Sequence, residues 1–342
     1  MMPNTLAKNE AKYKFLMITT FILIIMAILI SINAGYMKIP IADVIATLFG
    51  NGTPQNELTI FEFRLPRIFM ALLVGLGISI SGAILQGISG NPLADPGILG
   101  INAGAGFTIV LYMFFFQGTV FITGWLSIFI MPFAALIGGF IAAFLIYIIS
   151  WKNGRVTPIR LILVGIGINA AFGAGLTIFQ MKMEPIDFMK AIVWLSGSIW
   201  GTNWTFVWMI ALWLVVLIPI VLYKSRVLDV LKLGDSIAIG VGANIEKERR
   251  FLLFISVAIA AVCVSVGGGI TFLGLIAPHM ARRLVGASHA KSLPLAALLG
   301  ALLLLLADTL GRVILAPMEL PVGLVISVLG APYFIYLLIK TN

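Results

Sequence analysis

The sequence predicts an all-α, polytopic membrane protein of about ten transmembrane helices. Three observations carry that prediction. Of the 342 residues, 61% are hydrophobic and only 10% charged, whereas an ordinary soluble domain holds about 25% charged residues. Apolar runs of about 20 residues, enough to cross roughly 30 Å of hydrocarbon, recur along the whole length. The runs are continuous rather than alternating, and backbone polar groups in lipid must pair within their own segment, which selects helices over a barrel.

In chain order the spans fall at about 15–35, 64–88, 97–116, 125–149, 159–180, 204–223, 250–268, 270–285, 293–314 and 321–340. The first follows Lys8, Lys12 and Lys14. A signal peptide is its other reading, but an apolar core of about 18 residues exceeds the ~7–15 of a signal h-region. Between the second and third spans stands SGNPLADPG, Ser89 to Gly97. Pro92 and Pro96 forbid a continuous helix there, and Asn91 and Asp95 suit the capping of frayed ends. Taken alone, this stretch fits a helix broken beside a pathway as well as a tight reentrant turn.

The fifth span is entered through RVTPIR, residues 155–160. Within it Gly165, Asn169 and Gly173 recur four residues apart and so share a face. A small, polar stripe of this kind fits close helix packing as well as the lining of a polar conduit. An amphipathic piece near 186–199 reads as interfacial. The loop from Lys224 to Arg250 carries ten charged residues, with apolar spacing at Leu228, Leu231, Leu233, Ile237 and Ile239. Gly234, Gly240 and Gly242 punctuate it as two short helices joined by a turn. A compact amphipathic element outside the lipid reads as a docking surface for a soluble partner, with a solvated helical loop as the plainer alternative. The eighth span is short, and the ninth carries Asp308 one turn before Arg312, a local ion pair by spacing.

An even number of spans puts both termini on one side. With the N-terminus in the cytoplasm, only six of the 22 Lys and Arg fall outside: Lys38, Arg64, Arg67, Lys182, Lys190 and Arg312. The positive-inside rule therefore supports the count and the orientation together. The net charge of +9 reports topology rather than nucleic-acid binding, because the basic residues are spread over several loops. One cysteine, Cys263, excludes a disulfide framework, and His279 and His289 have no companions at metal-ligand spacing. No cofactor or metal is expected. The chain has no G-x-x-x-x-G-K-[ST] loop, so it is expected to hydrolyse no nucleotide itself and not to be an enzyme. Its spans are almost free of carboxylates, which speaks against an ion-coupled carrier.

A set of longer motifs is more specific. RLPR at 64–67, SGAILQGISGNPLADPGILGINAGAG at 81–106, GGGITFLGLIAPHMARRLVG at 267–286, LLLADTLGR at 304–312 and ELPVGLVISVLGAPYFIYLL at 319–338 occur in this order. Together they resemble the FecCD-type permease subunits of ABC importers for ferric siderophores, haem and cobalamin, across essentially the full chain. The resemblance implies one transmembrane permease domain over 1–342, of the cobalamin-importer-permease kind, that pairs with a second permease subunit around a central pathway. It implies cytoplasmic ATP-binding subunits, an extracytoplasmic substrate-binding protein and a ferric siderophore as cargo, with haem or cobalamin as alternatives.

Carried over residue by residue, the family's ATPase-coupling element falls on Leu228, Leu231, Gly234, Asp235, Ile239, Gly240 and Gly242. Gly240 matches the glycine at its turn. NPLADPG becomes a structural turn that closes the second and third helices together. The fifth helix, with Gly165, Asn169 and Gly173, lines the pathway, and Thr157, Pro158 and Ile159 match the inner gate. Pro158 and Ile159 replace small hydroxylated residues found in some relatives. Arg64, Arg67 and Arg312 match arginines that meet glutamates of the substrate-binding protein; snorkelling to lipid phosphate is their plainer reading.

Overall fold

A computed structural model describes residues 2–35, 39–97, 100–116, 125–152, 155–240 and 244–340. In chain order the helices are α1 (Met2–Asn33), α2 (Ile41–Leu48), α3 (Pro54–Glu57), α4 (Leu65–Ser89), α5 (Ile101–Phe116), α6 (Trp125–Ser150), α7 (Pro158–Gln180), α8 (Pro185–Leu195), α9 (Trp204–Tyr223), α10 (Ser225–Leu231), α11 (Asp235–Gly240), α12 (Ile245–Gly267), α13 (Leu273–Val285), α14 (His289–Val313) and α15 (Val322–Lys340). A seven-residue π-helix, Leu58–Arg64, runs directly into α4. Among the described residues, eight helical segments are long and apolar enough to cross a membrane. The third and eighth expected spans are the shorter α5 and α13, and the interfacial piece is α8. A two-stranded antiparallel hairpin, β1 (Trp151–Lys152) with β2 (Arg155–Val156), joins α6 to α7.

The bundle is organised around α4. Its residues from Gly77 to Ser89 are all buried, and it packs on α14, α12, α13 and α9. With no hydrophobic drive between helices in lipid, small residues that let backbones touch supply the contact. A Cβ on Gly75 would overlap the backbone of Gly300 in α14, and one on Gly82 would overlap Gly274 in α13. Gly104 and Gly138 make the same approach between α5 and α6. The helix α7 lies at the other extreme, with only 11% of its membrane-length apolar stretch buried.

Two ends of the bundle can be told apart. One holds the start of α1, the end of α4, the β-hairpin, α10 and the start of α14. Lys291–Glu10 (2.5 Å) and Lys224–Glu248 (2.7 Å) tie its elements together, and we call it the N-terminal face. The far face holds the end of α1, α2, α3, the π-helix and the turn between α14 and α15.

Both interruptions of helix are sealed by protein. Helix α4 stops at Gly90, whose φ of 63° is the left-handed conformation glycine adopts without penalty. Asn91 Oδ1 then accepts from Leu93 N at 2.9 Å, and Asp95 Oδ1 accepts from Gly97 N at 2.8 Å. Buried Gln86 donates its amide to Ala94 O and Gly274 O, both at 3.2 Å. The stretch is thus a turn that stitches the end of α4 to the next loop and to α13. Between α12 and α13 the chain passes through Gly268 and Phe272, both at positive φ. Asn102 donates to Ile270 O at 3.2 Å, and Thr271 meets Ser327 at 3.2 Å.

The glycine contacts give the first prediction. Gly82→Leu forces side-chain atoms into the Gly274 carbonyl and is expected to destabilise the fold by about 1–3 kcal/mol or more. Gly167→Leu, on exposed α7 with nothing within 4 Å of the added carbon, is expected to cost far less. Thermal unfolding of both detergent-purified variants checks the contrast, and equal losses would contradict it.

Candidate functional site

The far face carries a charge network. Arg67 at the start of α4 reaches Asp308 through Nη2 at 2.8 Å and Glu319 through Nη1 at 2.7 Å. Arg312 lies 3.2 Å from the other oxygen of Asp308, which is the ion pair expected from their spacing. Arg312 also donates to Ala34 O at 3.2 Å and to the Ser31 hydroxyl, while Arg64 donates to Ile32 O. Helix α1 ends at Asn33, so its last carbonyls, which have no partner within the helix, receive two guanidiniums.

The placement of these arginines differs from the sequence expectation. Arg64 and Arg312 are buried, and the Arg67 side chain is 12% exposed. Arg64 and Arg312 bond within the chain, and Arg67 pairs with Asp308 and Glu319 beside them. Burial in a water-poor bundle demands counter-charges, and Asp308, fully buried, and Glu319 supply them from this chain. Glu319, 38% exposed, is the member that reaches solvent.

At the N-terminal face the set expected to form the coupling element divides in two. Leu228 and Leu231 are buried and turn inward; a Cβ on Gly87 of α4 would press on Leu228 and on His289 of α14. They anchor α10. Gly234, at φ 96°, makes the turn into α11, and Leu233, Ile237 and Gly240 are exposed. Gly240 closes α11, with open space where a Cβ would stand. Asp235 and Ile239 lie within α11, and Gly242 lies outside the described residues.

The stripe on α7 also divides. The backbones of Gly165 and Asn169 pack on Gly100 ahead of α5, which is the helix-packing arrangement. A Cβ on Gly173 would meet nothing within 4 Å. Thr157 is the N-cap residue of α7, Pro158 its first residue, and Ile159 is 73% exposed.

One feature escaped the sequence reading. Asp229 of α10 accepts from His289 N at 2.8 Å and from His289 Nδ1 at 2.6 Å. The carboxylate thereby fills the N-terminus of α14, where backbone N–H groups and the helix dipole favour a negative charge. The residues are 60 apart in sequence; Asp229 spaced among the inward leucines of α10 was the available signal. His279 likewise has an internal partner, Tyr333 Oη at 2.7 Å. Among the described residues no three His, Cys, Asp or Glu side chains come together as a metal site.

Comparison with known proteins adds a separate finding. The model of the FecCD transport family matches residues 22–340. The chain is 58% identical to the iron(3+)-hydroxamate import system permease protein FhuG of Bacillus subtilis, with 95% of this chain and 97% of that one covered. It is 35% identical to the Fe(3+) dicitrate transport system permease protein FecD of Escherichia coli, over 91% and 94% of the two chains. Among solved structures, a metal-chelate type ABC transporter in an inward-facing conformation superposes with a TM-score of 0.82 at 30% identity, covering 95% of this chain and 98% of that one.

The network's geometry yields a graded prediction. Asp308→Ala leaves Arg312 without its carboxylate and is expected to cost about 3–5 kcal/mol. Glu319→Gln removes a partly solvated partner and is expected to cost about 0–1 kcal/mol. Thermal unfolding in detergent checks the order, and a larger loss for Glu319→Gln would contradict it.

Proposed function

The chain belongs to the FecCD transport family, and from that membership we propose that it is the permease subunit of an ABC importer that carries a ferric siderophore into the cytoplasm without altering it chemically. The observation that carries this reading is the single family match over residues 22–340, which takes in both helix breaks, the 224–250 loop and the far-face network. The iron(3+)-hydroxamate permease at 58% identity supports a hydroxamate as the class of cargo.

The rest of the assembly follows from the faces. The N-terminal face is the cytoplasmic one, because Lys8, Lys12, Lys14, Lys232, Lys291 and the Arg249–Arg250 pair gather there. Both termini then lie in the cytoplasm. Separate ATP-binding subunits dock on α10 and α11, through exposed Leu233, Ile237 and Gly240, while buried Leu228 and Leu231 carry their movement into α4 and α14. A second permease subunit covers α7, whose Ile159, Leu163 and Ile166 are exposed, with the pathway between the two. Thr157, Pro158 and Ile159 stand at the cytoplasmic mouth of that pathway. The substrate-binding protein sits on the far face, over the rim formed by Glu319 and Arg67. Buried Arg64 and Arg312 support this rim rather than touch the partner.

Uptake of radiolabelled iron as a ferric hydroxamate, in a strain lacking its own siderophore permeases, tests the cargo. The expected result is uptake that requires this chain. Uptake of haem or cobalamin, with none of ferric hydroxamate, would overturn it. The docking of ATP-binding subunits gives a further prediction. Gly240→Trp fills open space at the tip of α11, so folding is spared, and ATP hydrolysis by the assembled complex is expected to continue while uptake falls at least tenfold. Normal uptake by this variant would contradict the assignment of α10–α11.

A further inference from the structure

Beneath the end of α4 lies a cavity of about 390 Å³ lined by Gln86, Gly87, Pro92, Lys232, Arg282 and His289. Its charge is unbalanced. Arg282 Nη2 is buried with no hydrogen-bond partner, and neither Arg282 nor Lys232 forms an ion pair among the described residues. Among the described residues the nearby carboxylate, Asp229, is committed to the first N–H of α14 and to the His289 ring, with Ser288 Oγ at 3.4 Å. The amide nitrogen of Gln86 is likewise spent on backbone carbonyls, while its Oε1 is buried with no hydrogen-bond partner. Two cations therefore face one cavity with no free carboxylate among the described residues to neutralise them, and the buried Arg282 Nη2 costs energy unless an anion arrives.

The mouth of the cavity indicates where the anion comes from. Its rim is made by Pro92 in the loop after α4 and by Lys232, the exposed residue that caps α10. Neither belongs to a span, so the cavity opens among the loops of the N-terminal face rather than between helices toward lipid. Lys232 also directly precedes Leu233, at the exposed tip of the element on which the ATP-binding subunit docks. We propose that an Asp or Glu side chain of the ATP-binding subunit enters this cavity and pairs with Lys232 and Arg282. Arg282 offers the planar fork that binds a carboxylate with two parallel hydrogen bonds, and Lys232 supplies a mobile point charge at the entrance. The pair gives docking a fixed register, which the apolar contacts of Leu233 and Ile237 alone do not. This proposal rests on the reading of α10–α11 as the ATPase dock.

The test uses the permease in lipid nanodiscs with its ATP-binding subunit. Zero-length carbodiimide coupling, read by mass spectrometry, is expected to join Lys232 to one carboxylate of the ATP-binding subunit. Lys232→Glu, on the surface and so harmless to the fold, is expected to weaken association at least tenfold, and Lys232→Gln by less. Arg282→Gln is expected to weaken it as well, with partial recovery in Arg282→Lys. Changing the coupled carboxylate to Lys is expected to restore part of the affinity of Lys232→Glu. Wild-type association with no Lys232 cross-link and an unchanged affinity for Lys232→Glu would overturn the proposal while leaving the ATPase dock intact. So would inorganic phosphate that stabilises the isolated permease through Lys232 and Arg282 while association ignores both residues. A wild-type permease that binds no ATP-binding subunit would overturn the reading beneath it.

Discussion

Backbone contact between α4 and its neighbours, through Gly75 with Gly300 and Gly82 with Gly274, sets the centre of the bundle. Most polar groups near that centre are then bonded within the chain, with Ser79 Oγ, Gln86 Oε1 and Asn102 Oδ1 left without partners. Gln86 gives its amide to two carbonyls where α4 breaks, and Asn102 serves the break before α13. Ser81 and Ser256 pair their hydroxyls at 2.8 Å across α4 and α12. The irregular segments are held as firmly as the helices they interrupt.

The same two helices reach both faces. At the far face α4 offers Arg67 and α14 offers Asp308 and Arg312. At the opposite face α4 ends beside the cavity, and α14 begins at His289, held by Asp229 of α10. A pair in backbone contact along its length and fastened at each end transmits displacement as a unit, because packed interfaces have discrete arrangements rather than continuous give. In the proposed importer this joins the face that receives the binding protein to the face that receives ATP-binding subunits. In the same proposal α7, which packs mainly on α5 and α6, walls the path between the two permease subunits.

The membrane helices were legible because continuous apolarity over about 20 residues has few other meanings. All ten spans correspond to helices, although α1 and α12 begin earlier than their apolar cores because charged turns continue them beyond the hydrocarbon. The break at Ser89–Gly97 was legible from its prolines and Asx residues, its closing turn only from the family resemblance, and the Asp308–Arg312 pair from its spacing. What stayed hidden depends on residues distant in sequence. Arg67 and Asp308 stand 241 residues apart, and no local pattern announces that a basic residue at a span's end turns inward. Leu228 and Leu231 were recognised as apolar, yet only the position of Gly87 shows that they anchor α10. The short β-hairpin, α2, α3 and the π-helix lie in stretches whose polarity marks them only as connections.

The central claim is that this bundle moves cargo with energy drawn from ATP outside its own chain. The direct measurement is cargo uptake into proteoliposomes containing the permease, its ATP-binding subunit and its substrate-binding protein, with ATP and ion gradients supplied separately. The account predicts uptake of ferric hydroxamate with ATP and no ion gradient, abolished when the ATP-binding subunit is left out. Uptake driven by a proton or sodium gradient in the absence of ATP would contradict it.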